Sequence, residues 1–304
     1  MCFVNLEKRK KYIKNIYATL HTLSGHCSNC NTDLIDKDNE VIKSVQHKKR
    51  RGKDEYSYYL QLNPNKVVPG DMIRSYSKFQ EVLIDTLDRI ESTGFSISRA
   101  DLAFNSDEFD DFELFKKLNR LLICCISDCY GIKNCYQTSN LWTFKSLSIA
   151  IKSDRLECEN YDKSQENPNV KTKSRLELRS KRMTTDLTTE FQVGWSARLD
   201  AAVERFESVQ ERYNRELAEI WKEDQEKPEK QRDFISVTAF LMNFRECLFT
   251  RKQLRSLLEL MGVKNPTSAA NKFKDRHAIE FFSKTDLIEI VKALKDAMNK
   301  YFES

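Results

Sequence analysis

Three short segments carry residues able to work on phosphates or metal ions. In residues 171–183, KTKSRLELRSKRM, the central positions alternate, so in a strand Leu176 and Leu178 face one way while Arg175, Glu177 and Arg179 face the other. One carboxylate then stands between two guanidinium groups. Flanking arginines keep such an acid ionised, which suits a structural ion pair or a divalent-metal ligand beside an anionic substrate. Residues 95–104, FSISRADLAF, carry Arg99 and Asp101 on one face, with Phe95, Ile97, Ala100, Leu102 and Phe104 available for burial. Residues 161–166, YDKSQE, add Tyr161 and Lys163 after an apolar, alternating run from Phe144 to Cys158. A charged solvent face on half-buried strands is the plain alternative for all three.

The elements that must position these residues follow from periodicity and punctuation. Residues 5–24 have Leu6, Tyr12, Ile16, Leu20 and Leu23 at helical spacing, which predicts a helix stopped by Gly25. Residues 41–47 and 56–62 read as two strands joined by a basic loop containing Gly52. Residues 77–91 form an amphipathic helix by pattern, with Gly94 as its stop, and acidic residues from Asp107 to Glu113 open another that runs to about Asp128. Residues 136–161 then supply two or three strands before the Arg-Glu-Arg segment. This order predicts an α+β fold, an antiparallel sheet with helices packed on one face.

After Asp186 the pattern is all helical. Residues 224–232, DQEKPEKQR, read as a charged linker, which predicts one domain over 1–225 and a small helical domain over 232–304. Within the second, two short helices around the turn at 261–266 have helix-turn-helix proportions, with Asn271, Lys272, Lys274 and Arg276 on the second helix; such domains bind protein as well as DNA.

Composition narrows the class. The 304 residues are 40% hydrophobic, enough for a core, and neither a membrane-spanning run nor a signal-peptide apolar region is visible, so a soluble, cytoplasmic protein without membrane contact is expected. Nine cysteines, an odd number with several inside apolar runs, fit reduced thiols. His26-Cys27-x-x-Cys30 lacks a second ligand pair for zinc. Net charge is +5, but its distribution matters more: residues 43–53 hold six basic residues, among them Lys48, Lys49, Arg50 and Arg51, with no acid. Residues 171–182 hold six more, including Lys181 and Arg182, against the single Glu177. Two such clusters bracketing alternating strands are the footprint of a polyanion binder.

An Arg-x-Asp strand, a strand ending Tyr-x-Lys-x-x-Glu and an Arg-x-Glu-x-Arg strand, in that order, resemble the rolling-circle replication initiators of Gram-positive plasmids. The set is also similar to conjugative relaxases and filamentous-phage replication endonucleases, and covers roughly residues 54 to 185. The resemblance implies a tyrosine that attacks a phosphodiester of origin DNA, single-stranded or in a hairpin, with Mg²⁺ or Mn²⁺ polarising the phosphate. It maps the metal ligands to Asp101 and Glu177, the phosphate partners to Lys163 and Arg179, and further DNA contacts to Arg99 and Arg175. A homodimer and a host helicase or polymerase are the protein partners it implies.

The sequence departs from the family where the nucleophile belongs. The segment after the Arg-x-Glu-x-Arg strand, SKRMTTDL, has no tyrosine, the second acid after the Arg-x-Asp strand is Asn105, and the only histidines are His21, His26, His47 and His277. Either Tyr161 or Tyr213 takes the role, or the chain binds DNA as a repressor or accessory factor without nicking it. A helical interaction protein whose basic clusters are only surface is the reading from a different class.

Overall fold

The computed structural model describes residues 15–34, 41–49, 56–67, 73–106, 112–129, 135–136, 148–152, 155–162 and 174–304. Its strands are β1 (Ile16–Cys27), β2 (Ile42–Lys49), β3 (Tyr56–Leu62), β4 (Ser96–Ser106), β5 (Cys135–Tyr136), β6 (Ser148–Lys152), β7 (Leu156–Asp162) and β8 (Ser174–Lys181). They form one antiparallel sheet in the order β2-β3-β1-β4-β8-β7-β6-β5. After β4 the chain crosses to the far edge, and β5 to β8 return strand by strand until β8 pairs with β4. That return sets the Arg-Asp and Arg-Glu-Arg segments side by side although they lie far apart in sequence.

The helix expected over residues 5–24 is corrected. Residues 16–27 are strand β1, held between β3 and β4, while residues 1–14 lie outside those described. The helical spacing has a specific origin. The register with β4 slips between Leu20 and Thr22, so His21 is an extra residue. A bulge of this kind reverses the alternation. Ala18 and Leu20 before it and Leu23 after it therefore share the buried side, and the resulting i, i+2, i+5 pattern imitates a helix. Gly25 is not a helix stop: a Cβ there would meet the Ser96 carbonyl oxygen at 2.4 Å, so the close approach of β4 requires glycine.

The helices are α1 (Tyr76–Arg89), α2 (Phe112–Cys129), α3 (Ser196–Glu204), α4 (Phe206–Glu226), α5 (Val237–Asn243), α6 (Arg251–Leu260), α7 (Pro266–His277) and α8 (Lys284–Phe302), with a π-helical stretch, Thr189–Trp195, leading into α3. Their starts are capped by side chains where a core-facing run begins: Ser75 for α1, Ser236 for α5, and reciprocal caps of Thr250 with Gln253 and Ser283 with Asp286 for α6 and α8. Leu176 and Leu178 of β8 join Leu102 and Phe104 of β4 and the apolar face of α2 in the core. Helix α8 packs on β1 and α3. No helix among the described residues is long and apolar enough to cross a membrane.

The boundary expected at 225–232 does not divide two cores. The buried Asp224 accepts the backbone N–H groups of Asp233 and Phe234 at 2.8 and 3.0 Å, fastening the segment instead of leaving it as a free linker. Helix α8, beyond it, covers the sheet that precedes it. The two helices with helix-turn-helix proportions are α6 and α7, packed on each other around Gly262 at φ +76°.

Candidate functional site

Opposite the helices, the sheet carries a charged network built from three adjacent strands. Directly paired residues share a face, and the register pairs Asp101 with Arg179, Arg99 with Lys181, Glu157 with Arg179, Glu159 with Glu177 and Tyr161 with Arg175. Alternation then gathers Arg99, Asp101 and Asn105 of β4, Arg175, Glu177, Arg179 and Lys181 of β8, and Glu157, Glu159 and Tyr161 of β7.

Arg179 is the hub. Its guanidinium lies 2.5 Å from Glu157, 2.8 Å from Glu159, 2.5 Å from Glu177 and 3.5 Å from Asp101. Arg99 clasps Asp101 with two bonds of 2.9 and 2.8 Å, and Lys181 holds Glu157 at 2.6 Å. The fully buried Arg175 donates to Asn105 Oδ1 at 2.8 Å and approaches the Tyr161 hydroxyl at 3.4 Å and Glu177 at 3.7 Å. Tyr161 itself donates to Glu177 Oε1 at 2.7 Å.

Burial and charge compete in setting the protonation states. Burial alone would raise the Glu177 carboxyl; Arg179, His21 and Arg175 outweigh it and hold it at about 2. At Asp101 burial prevails over Arg99 and Arg179, and the carboxyl is raised. Burial, reinforced by the charge of Glu177, pushes the Tyr161 phenol well above its usual 10. Tyr161 is therefore a protonated donor here, 9% exposed, and not a free phenolate.

Seven of the sequence-derived candidates meet in this network: Tyr161, Asp101, Glu177, Arg99, Arg175, Arg179 and Lys181. Tyr213 is not brought to them, and its candidacy as the replacement nucleophile is corrected. It is buried on α4, 6.2 Å from the ring of Phe249 and in contact with Cys124 of α2, so the sheet separates it from Glu177. Arg182 is exposed just past β8 at φ +54°. Lys272 and Lys274 lie on α7, away from the three strands. Lys48 and Lys49 close β2, whereas Arg50, Arg51 and Lys163 lie outside the described residues.

Sequence reasoning missed Glu157 and Glu159. Their alternation with Tyr161 in LECENYD was visible, but their partner is a residue of another strand, which only register reveals. Asn105, noted in sequence for the acid it replaces, is an acceptor that anchors Arg175.

The arrangement does not fit a metal ion held by Asp101 and Glu177. One guanidinium already contacts both carboxylates, and among the described residues no three of His, Cys, Asp and Glu are placed to hold a metal.

No family model matches the chain, and no curated protein matches it. Among solved structures it is similar to a rolling-circle replication initiator protein from Geobacillus stearothermophilus, at 9% identity and a TM-score of 0.27 over 55% of this chain and 74% of that one.

Proposed function

We propose that this protein binds DNA as a replication-initiator-type protein, gripping the phosphate backbone at one end of its sheet. The observation that supports the reading is that members of two basic clusters, far apart in sequence, belong to the same end of the sheet: Lys48 and Lys49 of one, Lys181 and Arg182 of the other. Lys48 and Lys49 pair with Ser57 and Tyr56, Tyr58 pairs with Cys27, His26 with Ser96, and Arg99 with Lys181. The exposed Arg155 and Arg182 flank the same end. Basic positions of β2, β4 and β8 thus fall in one row of strand ends, a placement that can follow a nucleic-acid backbone.

The test is a salt titration. Charge reversal of Lys48, Lys49, Arg50 and Arg51 to Glu is expected to weaken binding of every DNA sequence and to flatten the plot of log affinity against log salt, by about 0.7–0.9 in slope for each phosphate no longer neutralised. Fluorescence anisotropy with single-stranded and hairpin DNA reads both quantities. An unchanged slope would remove this end of the sheet from the interface.

One observation favours a second reading, strand nicking by Tyr161: its hydroxyl is oriented by Glu177 and lies 3.4 Å from the Arg175 guanidinium, a cation able to stabilise the phenolate as its proton leaves to solvent and the oxygen attacks a phosphodiester. Attack requires the network to open, because the hydroxyl is buried. Tyr161→Phe is then expected to abolish a covalent protein–DNA adduct on denaturing gels while leaving DNA affinity within about twofold, roughly 0.4 kcal/mol. Wild-type protein that forms no adduct on single-stranded or hairpin DNA leaves the binding reading alone standing.

A further inference from the structure

We propose that a cleft in the helical layer binds a small organic cation, a primary ammonium group on an apolar body, with acceptors of α4 receiving the ammonium and the rings of Phe206 and Phe282 receiving the body. The cleft has a volume of about 280 Å³ and lies between α4, the N-terminal half of α6 and the residues that lead into α8. That is close to the lower end of ordinary small-molecule sites, about 300–1,000 Å³. Glu207, Gln210, Glu211 and Asn214 follow one another on α4 at i, i+3, i+4 and i+7, so one stripe of the helix sets four acceptor-bearing side chains along the cleft. Phe206 and Phe282, 6% and 4% exposed, supply its apolar wall.

The buried amides along the cleft are not equally satisfied. Gln210 donates to the Phe206 carbonyl at 3.0 Å and accepts from the Thr250 hydroxyl. Gln253 donates to the Cys247 carbonyl at 2.9 Å and accepts the Phe249 N–H at 2.7 Å. Asn214, 4% exposed, donates Nδ2 to the Gln253 carbonyl at 3.1 Å, whereas no group among the described residues donates to its Oδ1. A carbonyl only accepts, which fixes the amide: its nitrogen faces Gln253 and its oxygen is the open acceptor. A buried acceptor is costly to leave unmet, so an N–H brought by a guest gains most at this position. Charge then selects a cationic guest. Lys284 reaches Glu207 at 3.5 Å, while the exposed Glu211 has no ion-pair partner among the described residues. Lys252, on the α6 side, is exposed and can turn to water. An ammonium offers three donors, enough for Glu211 and Asn214 together, which stand three residues apart on one helix face, and the aromatic wall favours it further.

The experiment uses the full chain without nucleic acid, so its failure leaves the DNA-binding reading untouched. Benzylammonium, benzyl alcohol and benzoate share one ring and differ in charge. Each is titrated while the amide proton–nitrogen resonances, including the side-chain amide of Asn214, are followed. Benzylammonium is expected to bind with a dissociation constant on the order of 1 mM, to shift the Asn214 amide, and to bind at least about fivefold more tightly than the other two. Glu211→Gln, at an exposed position, should weaken it about fivefold. Ser256→Phe, which fills the cleft from the α6 side, should abolish it. Where Ser256→Phe does not fold, Glu211→Gln decides by itself. Absence of binding, equal binding of benzyl alcohol or benzoate, or an Asn214 amide that does not shift overturns the proposal. So does benzylammonium binding that Glu211→Gln leaves unchanged, which marks a cation held at the general surface.

Discussion

Replacing Glu177 with alanine is expected to destabilise the protein by about 3–5 kcal/mol, the cost of leaving a buried charge without its partner. Glu177 is 1% exposed, and its two oxygens serve Tyr161, Arg175 and Arg179. Without it, Arg175, 0% exposed, is left beside the neutral Asn105 and Tyr161. Glu177→Gln should cost less, since an amide oxygen can still accept from Tyr161. The pH dependence carries a definite sign. The carboxyl is held at about 2 in the folded protein against an ordinary 4.5. Its contribution, about 3 kcal/mol, is therefore complete above pH 4.5 and is lost as pH falls toward 2. Asp101 acts in the opposite sense: its raised carboxyl costs stability at neutral pH, and that cost fades on acidification. Urea unfolding of wild type and Glu177→Gln across this range should show the difference between them shrinking in acid. A small difference that does not change with pH would mean that the network contributes little.

The parts of this site that were legible in sequence are those set by local alternation. Arg175, Glu177 and Arg179 share a face because β8 alternates without interruption, and Arg99 and Asp101 do so for the same reason. What was not legible depends on non-local pairing. Glu157 and Glu159 become partners of Arg179 only because the strands return from the far edge of the sheet in the order β7, then β8. The bulge at His21 concealed β1, since an inserted residue converts a strand's period into an apparent helical one. The last four helices were readable from their pattern alone. Their packing was not, because an amphipathic pattern says that a face is buried and not against what. Tyr213 illustrates the same limit: its place on a charged helix was evident, but its burial between α2 and Phe249 was not.

That limit leads to the second large effect. A fragment ending near residue 230 is expected to lose cooperative folding, although its charged end resembles a domain boundary. Helix α8 buries Leu287, Ile290, Val291, Leu294, Met298 and Tyr301, and it lies on β1, the neighbour of β4 in the sheet. The ring of Tyr76 on α1 meets those of Tyr301 and Phe302 at a tilt, with ring distances of 6.4 and 5.0 Å, and Phe191 lies 6.0 Å from Phe302. Polar ties cross as well: Ser77 N–H donates to the Ser304 carbonyl at 3.0 Å, and Lys295 reaches Asp200 at 2.6 Å. At about 1.5–3 kcal/mol for each fully buried large side chain, those six residues account for roughly 9–18 kcal/mol. A domain's whole stability is about 5–15 kcal/mol. Even allowing for partial repacking, Leu20 and Leu23 would face water where α8 had lain. The fragment should keep helical far-ultraviolet dichroism, lose near-ultraviolet signal, bind a hydrophobic dye and unfold in urea without a sharp transition. A soluble fragment with a single cooperative transition would show instead that the sheet and its own helices close a core without α8.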